Sequence, residues 1–202
     1  MSDAFTVPFL PASLTWKNQP LDSASDVERQ ISIRAGADTD WFSDPAGTPA
    51  KHTAPVALFL PPDPTFRLQA RVTVEFAAMY DAGVLFAYIQ DDLWAKLCFE
   101  NSPQHQPMIV SVVTRGVSDD CNSTQIEAQS VYLRIYRQGA IFAFHYSQDA
   151  HYWHLVRYFS LGNPGPLGVG FSAQSPAGQG CKVIFSEIQY MPGALSDLRN
   201  GE

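Results

Sequence analysis

The chain has 202 residues, 46% hydrophobic and only 16% charged, which is enough for one domain with a sizeable core and too apolar for global disorder. Its formal net charge of -7, with 13 Lys and Arg spread along the chain, supplies no basic surface and excludes a nucleic-acid partner. No apolar run approaches the ~18–20 residues of a bilayer span, and Met1-Ser2-Asp3-Ala4 lacks a secretory start, so no membrane partner and a cytoplasmic location are expected.

Strand signals dominate, and none of the stretches shows helical spacing. In chain order the expected strands are 30–35, 56–60, 66–76, 83–90, 93–100, 108–114, 131–137, 140–147, 152–159, 167–173 and 183–190. The clearest is 66–76. There Phe66, Leu68, Ala70, Val72, Val74 and Phe76 share one face, and Arg67, Gln69, Arg71, Thr73 and Glu75 share the other. That alternation belongs to a strand with one buried side and one wet side. Gln138-Gly139 marks a tight hairpin and Asp91-Asp92 another. Gly162 to Pro166 and Ser175 to Gly180 read as loops. The longest irregular segment, 38–53, carries Trp41 and Phe42 and is expected to fold over the sheet as a lid or an edge. Many short strands at roughly 10-residue spacing indicate an all-β sandwich, read as a single domain over 1–202 with its core at about 14–191.

Two strands carry candidate chemistry on their outward faces. In 93–100, Leu93, Ala95, Leu97 and Phe99 face the core, while Trp94, Lys96, Cys98 and Glu100 face away. Lys96 and Glu100 start ~13 Å apart along the strand, so they are not an adjacent pair, but their long side chains can converge on a ligand. In 131–137 the outward set is Tyr132, Arg134 and Tyr136, and an Arg between tyrosines presents a planar donor fork beside stacking surfaces. Tyr80, Tyr88 and Trp153 are expected to extend the same wall. Glu100 is the only acid on its strand face. Asp91-Asp92 and Asp119-Asp120 read as turn formers, because adjacent acids diverge on a strand. Cys98, Cys121 and Cys181 lack metal-ligand spacing and read as free thiols. His151 and His154 are three apart in a strand, which does not make a metal site, and no cofactor motif is present.

A family resemblance rests on Thr39-Asp40-Trp41, Asp81-Ala82-Gly83-Val84-Leu85-Phe86, Trp94-x-Lys96-x-x-x-Glu100 and Ser118-Asp119. It continues with Leu133-Arg134-Ile135-x-Arg137, Tyr146-Ser147-x-Asp149-x-x-x-Trp153 and Gly168-Val169-Gly170-Phe171. In order and spacing, these resemble a domain-of-unknown-function family that includes the fungal regulation-of-enolase proteins, within the concanavalin A-like lectin/glucanase superfamily. The resemblance implies a jelly roll of two curved antiparallel sheets whose concave face binds ligands, often sugars. Carried over, it points to Asp40, Trp41, Trp94, Lys96, Glu100 and Arg134. Two departures concern loops: Asp120 stands where an aromatic is usual, and Ala150 where Gly is usual.

The expected function is to hold a sugar or other polar small molecule on that face. A first alternative is a non-hydrolytic enzyme, an isomerase, cyclase or lyase. In it Glu100 is the acid/base, and Lys96 or Arg134 stabilises developing negative charge. A second is a metabolic regulator with a protein partner. Glycoside hydrolysis is disfavoured, because no strand carries the paired carboxylates it needs.

Overall fold

The computed structural model describes residues 4–162 and 164–202, and among them it contains strands and no helix. Met1, Ser2 and Asp3 of the N-terminal stretch, and Asn163 of the expected 162–166 loop, lie outside the described residues. In chain order the strands are β1 (Ala4–Phe5), β2 (Leu14–Lys17), β3 (Asp22–Ser25), β4 (Ile31–Arg34), β5 (Trp41–Phe42) and β6 (Lys51–His52). There follow β7 (Val56–Phe59), β8 (Thr65–Val74), β9 (Ala82–Gln90), β10 (Leu93–Asn101), β11 (Pro107–Arg115) and β12 (Val117–Gln125). The last are β13 (Ser130–Gln138), β14 (Ile141–Ser147), β15 (His154–Ser160), β16 (Gly168–Gln174) and β17 (Lys182–Pro192). Each expected strand is present within two residues of its expected ends. β1, β2, β3 and β12 were not expected, and β5 and β6 lie in 38–53, the segment expected to fold over the sheet as a lid or an edge strand.

The strands form two antiparallel sheets. One has eight strands in the order β1-β2-β7-β16-β9-β10-β11-β12; the other has seven, in the order β15-β14-β13-β8-β17-β4-β3. A separate β5-β6 pair completes the set. The alternating apolar residues meet between the sheets. Ala95, Leu97 and Phe99 of β10 face Val131, Leu133 and Ile135 of β13 and the inward row of β8 from Phe66 to Val74. Burying each Leu, Val or Phe here contributes about 1.5–3 kcal/mol. At Gly83 β9 lies tight against the opposing sheet: a Cβ there would be 2.5 Å from Val72 Cγ1 and 2.7 Å from Val183 Cγ1.

Period two determines the rest. If odd positions of β10 point inward, Trp94, Lys96, Cys98 and Glu100 point out of the eight-stranded sheet. By the same rule Tyr132, Arg134 and Tyr136 point out of the seven-stranded sheet, on the opposite side of the molecule. The expected shared wall is therefore corrected: it divides between two outer faces.

Candidate functional site

Pairing register lays out the floor on the outer face of the eight-stranded sheet. One row across the strands reads Phe86, Lys96, Val112, Asp120, and another reads Gln174, Ala82, Glu100, Met108. Between them Val84, Cys98 and Val110 keep the floor low. Long polar side chains thus rise around a small-residue centre. Above it the β5-β6 hairpin arches over, and the result is a pocket of about 410 Å³.

Aromatic packing holds the hairpin in place. Trp41, 1% exposed, stacks on His52 at 4.6 Å and meets Phe86, Trp94 and Tyr88 edge-on at 5.4–5.9 Å. Its indole Nε1 donates to Ala54 O at 2.9 Å. The Ser43 and Ser118 backbones join the end of β5 to the start of β12, with Ser118 N donating to Ser43 O at 2.8 Å. Asp40 precedes the anchored Trp41, so its carboxylate is fixed as well. Its Oδ1 accepts from Trp41 N at 2.7 Å and from Lys96 Nζ at 3.1 Å. Opposite, buried Asp81 accepts from Ala77 N, Ala78 N and Ser175 Oγ, which shapes the turn that presents Tyr80. Tyr80 O in turn accepts from Gln174 Nε2 at 3.3 Å, and Gln174 Oε1 accepts from Lys96 Nζ at 2.9 Å.

The electrostatics separate the two central groups. Burial works against the Lys96 ammonium, but Asp40, Cys98 and Glu100 outweigh it and hold its pKa above the ordinary value. Glu100, 9% exposed, is pushed up to about 8, chiefly by burial and further by Asp120 and Asp40, against the opposing pull of Lys96. Partial desolvation at the pocket mouth also raises Asp120. No hydrogen bond from the described residues reaches the Glu100 carboxyl. At neutral pH the pocket therefore holds a neutral carboxylic acid without a protein partner, a Lys96–Asp40 ion pair, and Asp120 exposed at its rim.

Of the expected site residues, Asp40, Tyr80, Lys96 and Glu100 line this pocket. Trp41 of the hairpin and Trp94 of β10 are buried against each other and anchor the hairpin rather than line the pocket. Tyr88 is turned aside, its hydroxyl held by Lys17 at 3.0 Å and Asp91 at 2.8 Å. Tyr132, Arg134 and Trp153 lie on the opposite outer face: Tyr132 bonds Glu187, and Arg134 stacks on Trp153. Phe42, expected in the lid, lines the pocket too, as do Asp120 and Gln174, which were missed. Asp119 and Asp120, expected in a turn, lie in edge strand β12, where Asp119 pairs with Arg157 at 2.7 Å and Asp120 reaches the pocket. The signal for Asp120 was its departure from the family pattern. Glu100 remains the only acid on its strand face, and two carboxylates from other elements, Asp40 and Asp120, join it at the pocket.

Several solved structures share the fold. A functionally unknown protein from Saccharomyces cerevisiae matches with TM-score 0.82 at 24% identity, over 90% of this chain and 97% of that one. A mutant of the GH43 protein BlXynB from Bacillus licheniformis matches with TM-score 0.72 at 17% identity, over 89% of this chain but 37% of that one. A legume lectin-like domain from Entamoeba histolytica matches with TM-score 0.58 at 11% identity, over 89% and 90% of the two chains. Such likeness establishes a concanavalin A-like β-sandwich fold and nothing more. No curated protein sequence matches the chain. The chain belongs to the family described as protein of unknown function (DUF1349), whose model matches residues 16–193.

Proposed function

We propose that this member of the DUF1349 family holds a small hydroxyl-rich molecule, a neutral saccharide unit, in the pocket above Lys96 and Glu100. The observation that carries this reading is the Glu100 carboxyl, buried, protonated at neutral pH and left without a protein hydrogen-bond partner at the edge of the cavity. Its oxygens open to the cavity, so whatever occupies the pocket can bond them. A protonated carboxyl donates to one ligand oxygen and accepts from another hydroxyl. Asp120 and the free lone pairs of Asp40 add acceptors, and Phe42 and Tyr80 offer apolar walls to a sugar ring. The volume falls in the usual range of ligand sites, roughly 300–1,000 Å³. Two of the fold's neighbours, a GH43 protein and a lectin-like domain, bear names that agree with saccharide chemistry.

A second reading follows from the same carboxyl. An acid whose pKa is about 8 is poised for proton transfer, as a non-hydrolytic isomerase, cyclase or lyase requires. Glu100→Gln separates the two. Calorimetric titration with a panel of neutral pentoses, hexoses and their disaccharides should find a binder whose affinity falls as pH rises through 8, when Glu100 ionises and stops donating. In Glu100→Gln that binder keeps its pH 6 affinity, since the amide still donates and accepts, and the pH dependence disappears. If the panel contains no binder, or if the variant keeps the wild-type pH profile, the binding reading fails. Turnover of a bound sugar that Glu100→Gln abolishes would establish the enzyme instead.

A further inference from the structure

The opposite outer face presents an electrostatic imbalance. Arg134 is 5% exposed, its guanidinium carbon 3.5 Å from the centroid of the buried Trp153 ring. Its hydrogen bonds go to neutral oxygens: Nε donates to Gln69 Oε1 at 3.0 Å and Nη1 to Gly201 O at 2.6 Å. Among the described residues no carboxylate pairs with it. Arg67 on the same face of β8 has a buried Nε without a partner, and its charge adds to burial in pushing Arg134 down to about 10. His145 lies directly across the pair from Arg134 and is fully buried. Its Nε2 is 2.8 Å from Leu198 O, and its Nδ1 is unpartnered. Two guanidiniums and an imidazole thus converge with no anion among them. A buried cation left uncompensated in this way is normally destabilising.

The segment covering these groups is a separable addition. Residues 196–202 form a turn closed on itself, Asp197 O accepting from Gly201 N at 3.0 Å and Glu202 N at 3.1 Å. It adds no strand to either sheet, and its polar contacts to the cluster are the two carbonyls of Leu198 and Gly201. Gly201 fits only because it lacks a side chain: a Cβ would lie 2.6 Å from Trp153 Cβ and 3.2 Å from Arg134 Nη1, at a φ of +76°. The family match ends at residue 193, so it includes Arg134, His145 and Trp153 but not this cover.

We infer that Arg134, Trp153 and His145 form a second ligand site, a cradle for a small oxyanion (carboxylate or phosphate), which residues 196–202 close by placing two backbone carbonyls where the anion's oxygens would sit. Opening the cover frees the guanidinium fork for two-point contact while Trp153 supports its face. Occupancy by the cover lowers the apparent affinity in proportion to the closed fraction, by about ten- to a hundred-fold for a cover 90–99% closed.

Gly201→Val tests this, because its side chain has no room against Trp153 and Arg134 and so expels the turn. Inorganic phosphate and acetate are titrated separately while the Trp153 indole N–H resonance, assigned with Trp153→Phe, is followed. In Gly201→Val at least one anion should bind ten-fold or more tighter than in wild type, and adding Arg134→Gln should abolish the gain. Whichever anion responds identifies the class. Absence of any gain, in a variant whose 196–202 resonances have become mobile, would overturn the inference, as would equal binding by wild type. Asp197→Ala, which removes the Arg199 amide's acceptor within the turn, is the milder release variant should Gly201→Val fail to fold.

Discussion

Glu100 sits where ionisation costs most. Its ordinary value is 4.5 and its folded value about 8, so the fold opposes the charged form. The penalty is absent below pH 4.5, grows as pH rises and is complete above 8, where it reaches roughly 3–5 kcal/mol. Glu100→Gln removes it. The variant should melt higher than wild type at pH 8, and the two should converge at pH 4; an equal difference at both pH values would show that ionisation is not the cause. At this scale Lys96 and Glu100 were legible from the sequence, because strand alternation and the family pattern both singled them out, and Asp40 was legible through the family pattern alone. Asp120 was not. Two adjacent acids in a polar stretch look like a turn, and only pairing with β11 puts one of them beside the pocket.

The β5-β6 hairpin links the sandwich to the site. Four residues in two short strands hold little by themselves, and Trp41 supplies the grip through four ring neighbours. Trp41→Ala should cost about 3–5 kcal/mol. It should also free Asp40 from Lys96 and weaken saccharide binding well beyond what Phe42→Ala does. Thermal melts and the same calorimetric panel check both; unchanged affinity would mean that the hairpin is not part of the site. Sequence alternation revealed the strands that bury one face, such as β8 and β10. It could not reveal β12, whose residues are nearly all exposed, nor β3, where every residue is. An edge strand wet on both sides carries no apolar period to read.

Across the whole molecule, the error over Arg134 has a single physical source. Alternation says which side of a strand faces the core, but both sheets of a sandwich obey that rule, so outward residues of different strands need not share a surface. Lys96 and Arg134 are each correctly outward and lie on opposite faces. The two faces consequently hold two different chemistries: an acid-rich pocket under a hairpin, and a cationic cluster under 196–202. The most direct measurement is a backbone and side-chain NMR titration of the full chain with the saccharide panel at pH 6.5. The account predicts perturbations centred on Asp40, Tyr80, Lys96, Glu100, Asp120 and Gln174, with none at Arg134 or Trp153. Perturbations centred on the Arg134 face, or none for any sugar, would contradict it.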